Sequence, residues 1–138
     1  MKEYYFKGKR NGKGKEYNFY NGKLIFEGEY LNGKRWNGKG YNKEGKIDFE
    51  IKEGNGKGKE YNYDYDCKLI FEGEYLNGER NGKGKEYNYY GGELEFEGEY
   101  LNGKKWNGKC KEYYNNGKLK IEGEYLNGQR NGKGKEYN

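Results

Sequence analysis

Residues 71–95 read FEGEYLNGERNGKGKEYNYYGGELE, and the same pattern starts again at Phe96 as FEGEYLNGKKWNGKCKEYYNNGKLK. A further copy, IEGEYLNGQRNGKGKEYN, runs from Ile121 to Asn138. Upstream, FEGEYLNGKRWNGKG opens at Phe26, a worn copy opens at Phe49, and residues 7–18 carry KGKRNGKGKEYN. The starts at Phe26, Phe49, Phe71, Phe96 and Ile121 lie 22–25 residues apart. A fixed period of that size marks a repeat array, in which each unit buries its apolar surface against its neighbours.

Within one copy, Leu69, Phe71, Gly73 and Tyr75 alternate with Glu72 and Glu74, the period-two pattern of a strand with one apolar face. Asn77-Gly78 and Asn81-Gly82 follow, residue types that accept the positive φ of tight turns. GKGKEYNYY then supplies a second strand ending in tyrosines, and Gly91-Gly92 gives a second turn, as Asn21-Gly22 and Asn116-Gly117 do elsewhere. Strand, turn, strand, turn repeated along the chain predicts an all-β fold: an elongated, single-layer antiparallel meander of stacked hairpins. A helix is excluded by several interior glycines per copy, each costing about 1 kcal/mol relative to Ala. In the second strand Lys83 and Lys85 share the parity of Tyr87 and Tyr89, so a core facing both tyrosines requires a bulge near Gly82-x-Gly84.

The 138 residues are 30% hydrophobic and 37% charged, with a mean hydropathy of −1.58, values that usually mean disorder. Aromatic residues at 19%, 18 of them tyrosines, placed on a strict period, point instead to a layer of rings along one face. The whole chain reads as one array of about six repeats: a degenerate cap at 1–25, then 26–48, an irregular 49–70, 71–95, 96–120 and an incomplete 121–138. Tyr4, Tyr5 and Phe6 stand in for the first strand of the cap. Trp36 and Trp106 are single-residue insertions that lengthen the first turn of their copies, and the copy at Phe49 lacks the YLNG element and so has a tighter or irregular hairpin.

Catalytic chemistry has little to work with. The chain has no His, Ser or Thr, which removes hydroxyl triads, and two cysteines fall short of a zinc site. Gly-x-Gly recurs without a nucleotide-binding context, and Asp64 with Asp66 is too few oxygens for calcium. Neither enzyme activity nor any cofactor, metal or nucleic-acid partner is expected. Cys67 and Cys110 occupy unrelated repeat positions and read as reduced thiols of a cytoplasmic protein, at most peripheral to a membrane or the cytoskeleton. No apolar run is long enough to span a bilayer.

Two surfaces carry the candidate interactions. The periodic rings Tyr30, Tyr75, Tyr100 and Tyr125, with Trp36 and Trp106, offer a protein-binding row. Lys13, Lys15, Lys57, Lys59, Lys83, Lys85, Lys133 and Lys135 recur at one place per repeat, a stripe that would attract anionic phospholipid within a net charge of +5. The free edges, near Tyr4–Phe6 and Lys133–Asn138, invite edge-to-edge dimers or fibres.

The spacing Phe71, Gly73, Tyr75, Gly78, Gly82, Gly84 resembles the MORN repeat (membrane occupation and recognition nexus). It recurs with one inserted residue at Phe26, Gly28, Tyr30, Gly33, Gly38, Gly40; at Phe96 the last Gly is Cys110. Residues 111–125 are also similar to the MORN variant of some bacterial antitoxin-like proteins. The resemblance implies stacked hairpins in a twisted sheet and a scaffold role, with anionic lipid binding in some members.

Overall fold

The computed structural model describes residues 11–63, 65–131 and 135–137. These form twelve strands and, among the described residues, no helix. In chain order they are β1 (Gly12–Tyr17), β2 (Leu24–Leu31), β3 (Lys34–Tyr41), β4 (Ile47–Lys52), β5 (Asn55–Tyr61) and β6 (Leu69–Leu76). There follow β7 (Glu79–Tyr87), β8 (Leu94–Leu101), β9 (Lys104–Tyr113), β10 (Leu119–Leu126), β11 (Gln129–Arg130) and β12 (Lys135–Glu136). All pairings are antiparallel, and the order in the sheet is the order in the sequence from β1 to β11; β12 adds to β10 beyond β11. The cap strand expected at Tyr4–Phe6, and with it the N-terminal edge, lies outside the described residues, as do Asp64, Lys133 and Asn138.

The first turn of each hairpin is two residues long. Asn32-Gly33, Asn77-Gly78, Asn102-Gly103 and Asn127-Gly128 hold φ near +50° and +80°, the left-handed pair that twists a tight hairpin correctly. Glu53-Gly54 adopts the same conformation in the irregular copy, closing a short β4–β5 hairpin. The turn therefore keeps its length where tryptophan is inserted, contrary to the expectation of a longer turn. Glu29 pairs Asn37 while Tyr30 pairs Arg35, so Trp36 bulges out of β3; Trp106 does the same in β9, between the pairs Glu99–Asn107 and Tyr100–Lys105. Without a tryptophan, the β6–β7 hairpin absorbs the slip at Asn81–Lys83, where Gly82 has φ +91°, a bulge at the expected place although it does not bring Tyr87 and Tyr89 to the core. The second turns are held by an asparagine whose side-chain oxygen accepts N–H groups of the loop, as Asn88 does from Tyr90 and Gly91 at 2.9 and 2.7 Å.

One face of the sheet is the core. Phe26, Phe71 and Phe96 are fully buried, each worth about 1.5–3 kcal/mol on transfer from water. Tyrosines meet them edge-on: Tyr100 touches Phe71 and Phe96 at ring-centre distances of 5.2 Å each, and Tyr125 reaches Phe96 at 5.6 Å. Phe26 stacks on Phe49 at 6.1 Å, carrying the row across the irregular copy.

Glycines face each other between the ring rows. Gly73 pairs Gly84, which pairs Gly98, which pairs Gly108. A methyl group on Gly28 would stand 2.0 Å from the Asn37 carbonyl oxygen. The neighbouring strand's backbone therefore excludes a side chain here more than an overlying ring does.

Candidate functional site

The core side of β1, β5 and β7 carries a glutamate at the position before the tyrosine of each KEY segment. Glu16, Glu60 and Glu86 pair across the ladder with Phe26, Phe71 and Phe96, so a carboxylate faces the ring row in these copies, whereas the copy that opens at Phe26 has Gly40 at that place. Tyr87 lies on the opposite face, its hydroxyl donating to Glu72 at 2.6 Å, and Tyr89 and Tyr90 fall in the turn beyond β7. The expectation that Tyr87 and Tyr89 face the core is thus corrected for this copy, whereas Tyr61 and Tyr63 of the irregular copy do pack against it. Alternation was kept, and the residue between lysine and tyrosine turned inward.

Each inward carboxylate is met by the next hairpin. Arg35 grips Glu16 with two donors at 2.9 and 2.7 Å, and Arg80 grips Glu60 at 3.0 and 2.7 Å and reaches Glu86 at 2.9 Å. Lys105 and Arg130 take that place toward Glu86 and Glu112, at 3.5 and 2.6 Å. The guanidinium of Arg80 also sits 4.1 Å over the Phe71 ring. Tyr30, Tyr75 and Tyr100 donate their hydroxyls to Glu16, Glu60 and Glu86. Burial alone would raise the Glu16 carboxyl; Arg35 and the hydroxyls of Tyr30 and Tyr63 outweigh it and hold the group below its ordinary value. Glu60 is likewise held down by Arg80 and Tyr75 against its own burial. Among the described residues no buried side-chain polar atom lacks a partner.

The periodic tyrosines therefore spend themselves inside the array. Tyr30 and Tyr100 are 4% and 3% exposed, and Tyr75 and Tyr125 pack partly buried against the same rows. Trp36 and Trp106 are half-buried, each against the following hairpin: Cζ3 of Trp36 leaves a Cβ at Gly54 only 2.6 Å, and that of Trp106 leaves one at Gly128 3.0 Å. The carbonyls of Trp36 and Trp106 accept the N–H groups of Gly54 and Gly128 at 2.8 and 2.9 Å. A second lock repeats beside it. Asn11, Asn55, Asn81 and Asn107 each accept, through the side-chain oxygen, the N–H of the next copy's turn asparagine at 2.9–3.0 Å. Asn37 does so for Glu53 at 2.8 Å. The second Asn-Gly of the repeat is thus a bulge that fastens the following turn.

The lysines lie on the face away from the rings, but not as a stripe of one sign. Lys13 and Lys15 stand opposite Glu29 and Glu27, Lys57 and Lys59 opposite Glu74 and Glu72, and Lys83 and Lys85 opposite Glu99 and Glu97. Lys135 stands opposite Glu122. From β5 to β8 lysine columns on odd strands alternate with carboxylate columns on even strands, and Lys59 ion-pairs Asp48 at 2.8 Å. Asp66 spends its carboxylate on Asn62 and Lys68. Among the described residues no group of three or more metal-ligand side chains converges, and both cysteines are buried free thiols.

A MORN-repeat family model matches residues 4–22, 71–88, 96–118 and 122–137, more than half of the chain. The chain belongs to the MORN-repeat family. No curated protein and no solved structure matches it. MORN repeats occur in protein-associated and membrane-associated scaffolds. The matched segments skip residues 23–70, yet β2–β5 keep the hairpin order and the inward Phe26 and Phe49 there. No helix among the described residues is long and apolar enough to cross a membrane.

Proposed function

We propose that this MORN array is a non-enzymatic scaffold that holds a protein partner, or a second copy of itself, on a fringe of aromatic side chains along its second-turn edge. One observation carries the reading. The periodic rings are consumed by the core, whereas Phe19, Tyr20, Tyr65 and Tyr90 are 70%, 68%, 49% and 66% exposed. They adjoin one another: Phe19 meets Tyr20 at 6.4 Å, the Tyr20 hydroxyl donates to the Tyr65 carbonyl, and Tyr65 meets Tyr90 at 5.1 Å. Rings with polar tips are what interfaces enrich, because they bury large area at small entropic cost.

The test compares the triple substitution Tyr20→Ser, Tyr65→Ser, Tyr90→Ser with the pair Trp36→Ala, Trp106→Ala. The fringe variant should lose partner capture with its circular dichroism unchanged; the tryptophan pair should lose stability and keep capture in its folded fraction. Light scattering on the same proteins reads self-assembly. Capture unaffected by the fringe substitutions, together with a constant monomer mass, overturns the reading. Binding to anionic vesicles in place of protein would favour the lysine-borne lipid reading.

A further inference from the structure

The face of alternating charge holds two open depressions, and the geometry points to an occupant: an α-helix that presents acidic and basic side chains alternately on successive turns. Two depressions of about 1010 and 850 Å³ run over the paired glycines, flanked by these charges. Crossing the second at right angles to the strands, one meets Lys57 and Lys59, then Glu72 and Glu74, then Lys83 and Lys85, then Glu97 and Glu99.

Spacing selects the partner. Adjacent strands lie about 4.8 Å apart, so the sign reverses every 4.8 Å or so and recurs at about 9.6 Å. A helix rises about 1.5 Å per residue, so side chains three or four residues apart are separated by roughly 4.5–6 Å, and seven residues span about 10.5 Å. One helical turn thus matches one strand. An extended segment advances about 3.3 Å per residue and puts side chains at about 3.3 and 6.6 Å, neither of which matches the reversal at about 4.8 Å.

A second feature shares that period. Leu31, Leu76, Leu101 and Leu126 end their strands beside the first turn and are 42%, 47%, 40% and 58% exposed. Each follows the core-facing tyrosine, so strand alternation turns it to the charged side. Leu76, Leu101 and Leu126 stand on every second strand, about 9.6 Å apart. They form an apolar rail beside the depressions that suits one apolar residue per heptad of the helix. This inference concerns the opposite surface from the aromatic fringe and does not depend on it.

The probes are two fluorescent 28-residue helical peptides of identical composition, length and net charge. In the first, Glu and Lys alternate on successive turns of one face, with Leu once per heptad beside them; in the second, all Glu lie on one side and all Lys on the other. Anisotropy titrations use the full chain at about 0.01 M and 0.15 M salt, where the screening length falls from about 30 to about 8 Å. The first peptide should bind at least tenfold more tightly than the second at low salt and weaken steeply at the higher salt. Lys83→Gln with Glu99→Gln leaves the net charge unchanged and should weaken it several-fold. Leu76→Asn with Leu101→Asn, at exposed positions, should do the same with the melting curve intact. Equal binding of the two peptides, or none at low salt, overturns the inference. So does flotation with phosphatidylserine vesicles by a chain that ignores the first peptide, which would make this face a lipid surface.

Discussion

Gly98→Ala is the sharpest trial of how the strands are held. Gly98 lies in β8 opposite Gly108 of β9, and its φ is not in the left-handed region, so alanine there carries no conformational penalty of its own. Its methyl carbon would stand 2.2 Å from the Asn107 carbonyl oxygen, 2.6 Å from Gly108 Cα and 3.0 Å from the Asn107 carbonyl carbon. Comfortable contact is about 3.5 Å, so the two strands must part by roughly 1 Å. Overpacking of this kind costs about 1–3 kcal/mol, and each ladder hydrogen bond stretched out of range costs about 1 kcal/mol more. The sum is about 3 kcal/mol. At about 2–4 °C per kcal/mol for a chain of this size, the melting temperature should fall by about 6–12 °C. Gly22→Ala is the comparison: φ is +70° and nothing lies within 4 Å, so only left-handed strain of about 1–2 kcal/mol applies. Thermal melts followed by near-ultraviolet circular dichroism read both. A Gly98→Ala shift no larger than that of Gly22→Ala would refute close backbone packing as the reason for glycine there.

Three further outcomes follow from the inward carboxylates and the turn locks. Arg80→Met leaves Glu60 and Glu86 without their shared cation and should cost about 2–3 kcal/mol in urea unfolding; Arg80→Lys recovers only part, because lysine lacks the two-pronged fork. Glu16 and Glu60 are held below the ordinary value of 4.5, so their contribution is complete above about pH 4.5 and is lost as pH falls through their folded values; the urea midpoint should drop between pH 7 and pH 3, and less so in Glu60→Gln. Asn81→Ala removes the acceptor for the Asn102 N–H and should cost about 1 kcal/mol, with faster amide exchange at Asn102 as the local readout.

Much of the fold was legible because it rests on local rules. FEGEY alternates, the first Asn-Gly takes positive φ, and recurrence every 22–25 residues fixes the stacking. The interior chemistry was not, because residue type misleads at two positions. Glu86 reads as surface in a lysine-rich segment, yet it faces inward between Arg80, six residues earlier on the same strand, and Lys105 of the next hairpin. The signal existed in the sequence as a basic residue two places after each first turn (Arg35, Arg80, Lys105, Arg130) recurring with a glutamate before the tyrosine of each KEY. The second Asn-Gly resembles a turn in sequence, and only the neighbouring copy reveals it as a fastener. The lysines were traced along the chain, where they repeat in one sign; the sheet sets them beside glutamates from adjacent strands.

The order of the sheet also sets how the molecule answers a pull. From β1 to β9 every strand takes its ladder partners from its neighbours in the chain. Tension applied at the two termini of such a ribbon loads the outermost ladder first, one bond at a time, in the manner of a zip and not of a shear clamp. Each 25-residue repeat, as from Phe71 to Phe96, would pay out up to about 80–90 Å of chain as it yields. The repeats inside it stay paired until their own turn, so extension proceeds in steps of nearly equal length and the array reforms from whichever hairpins are left.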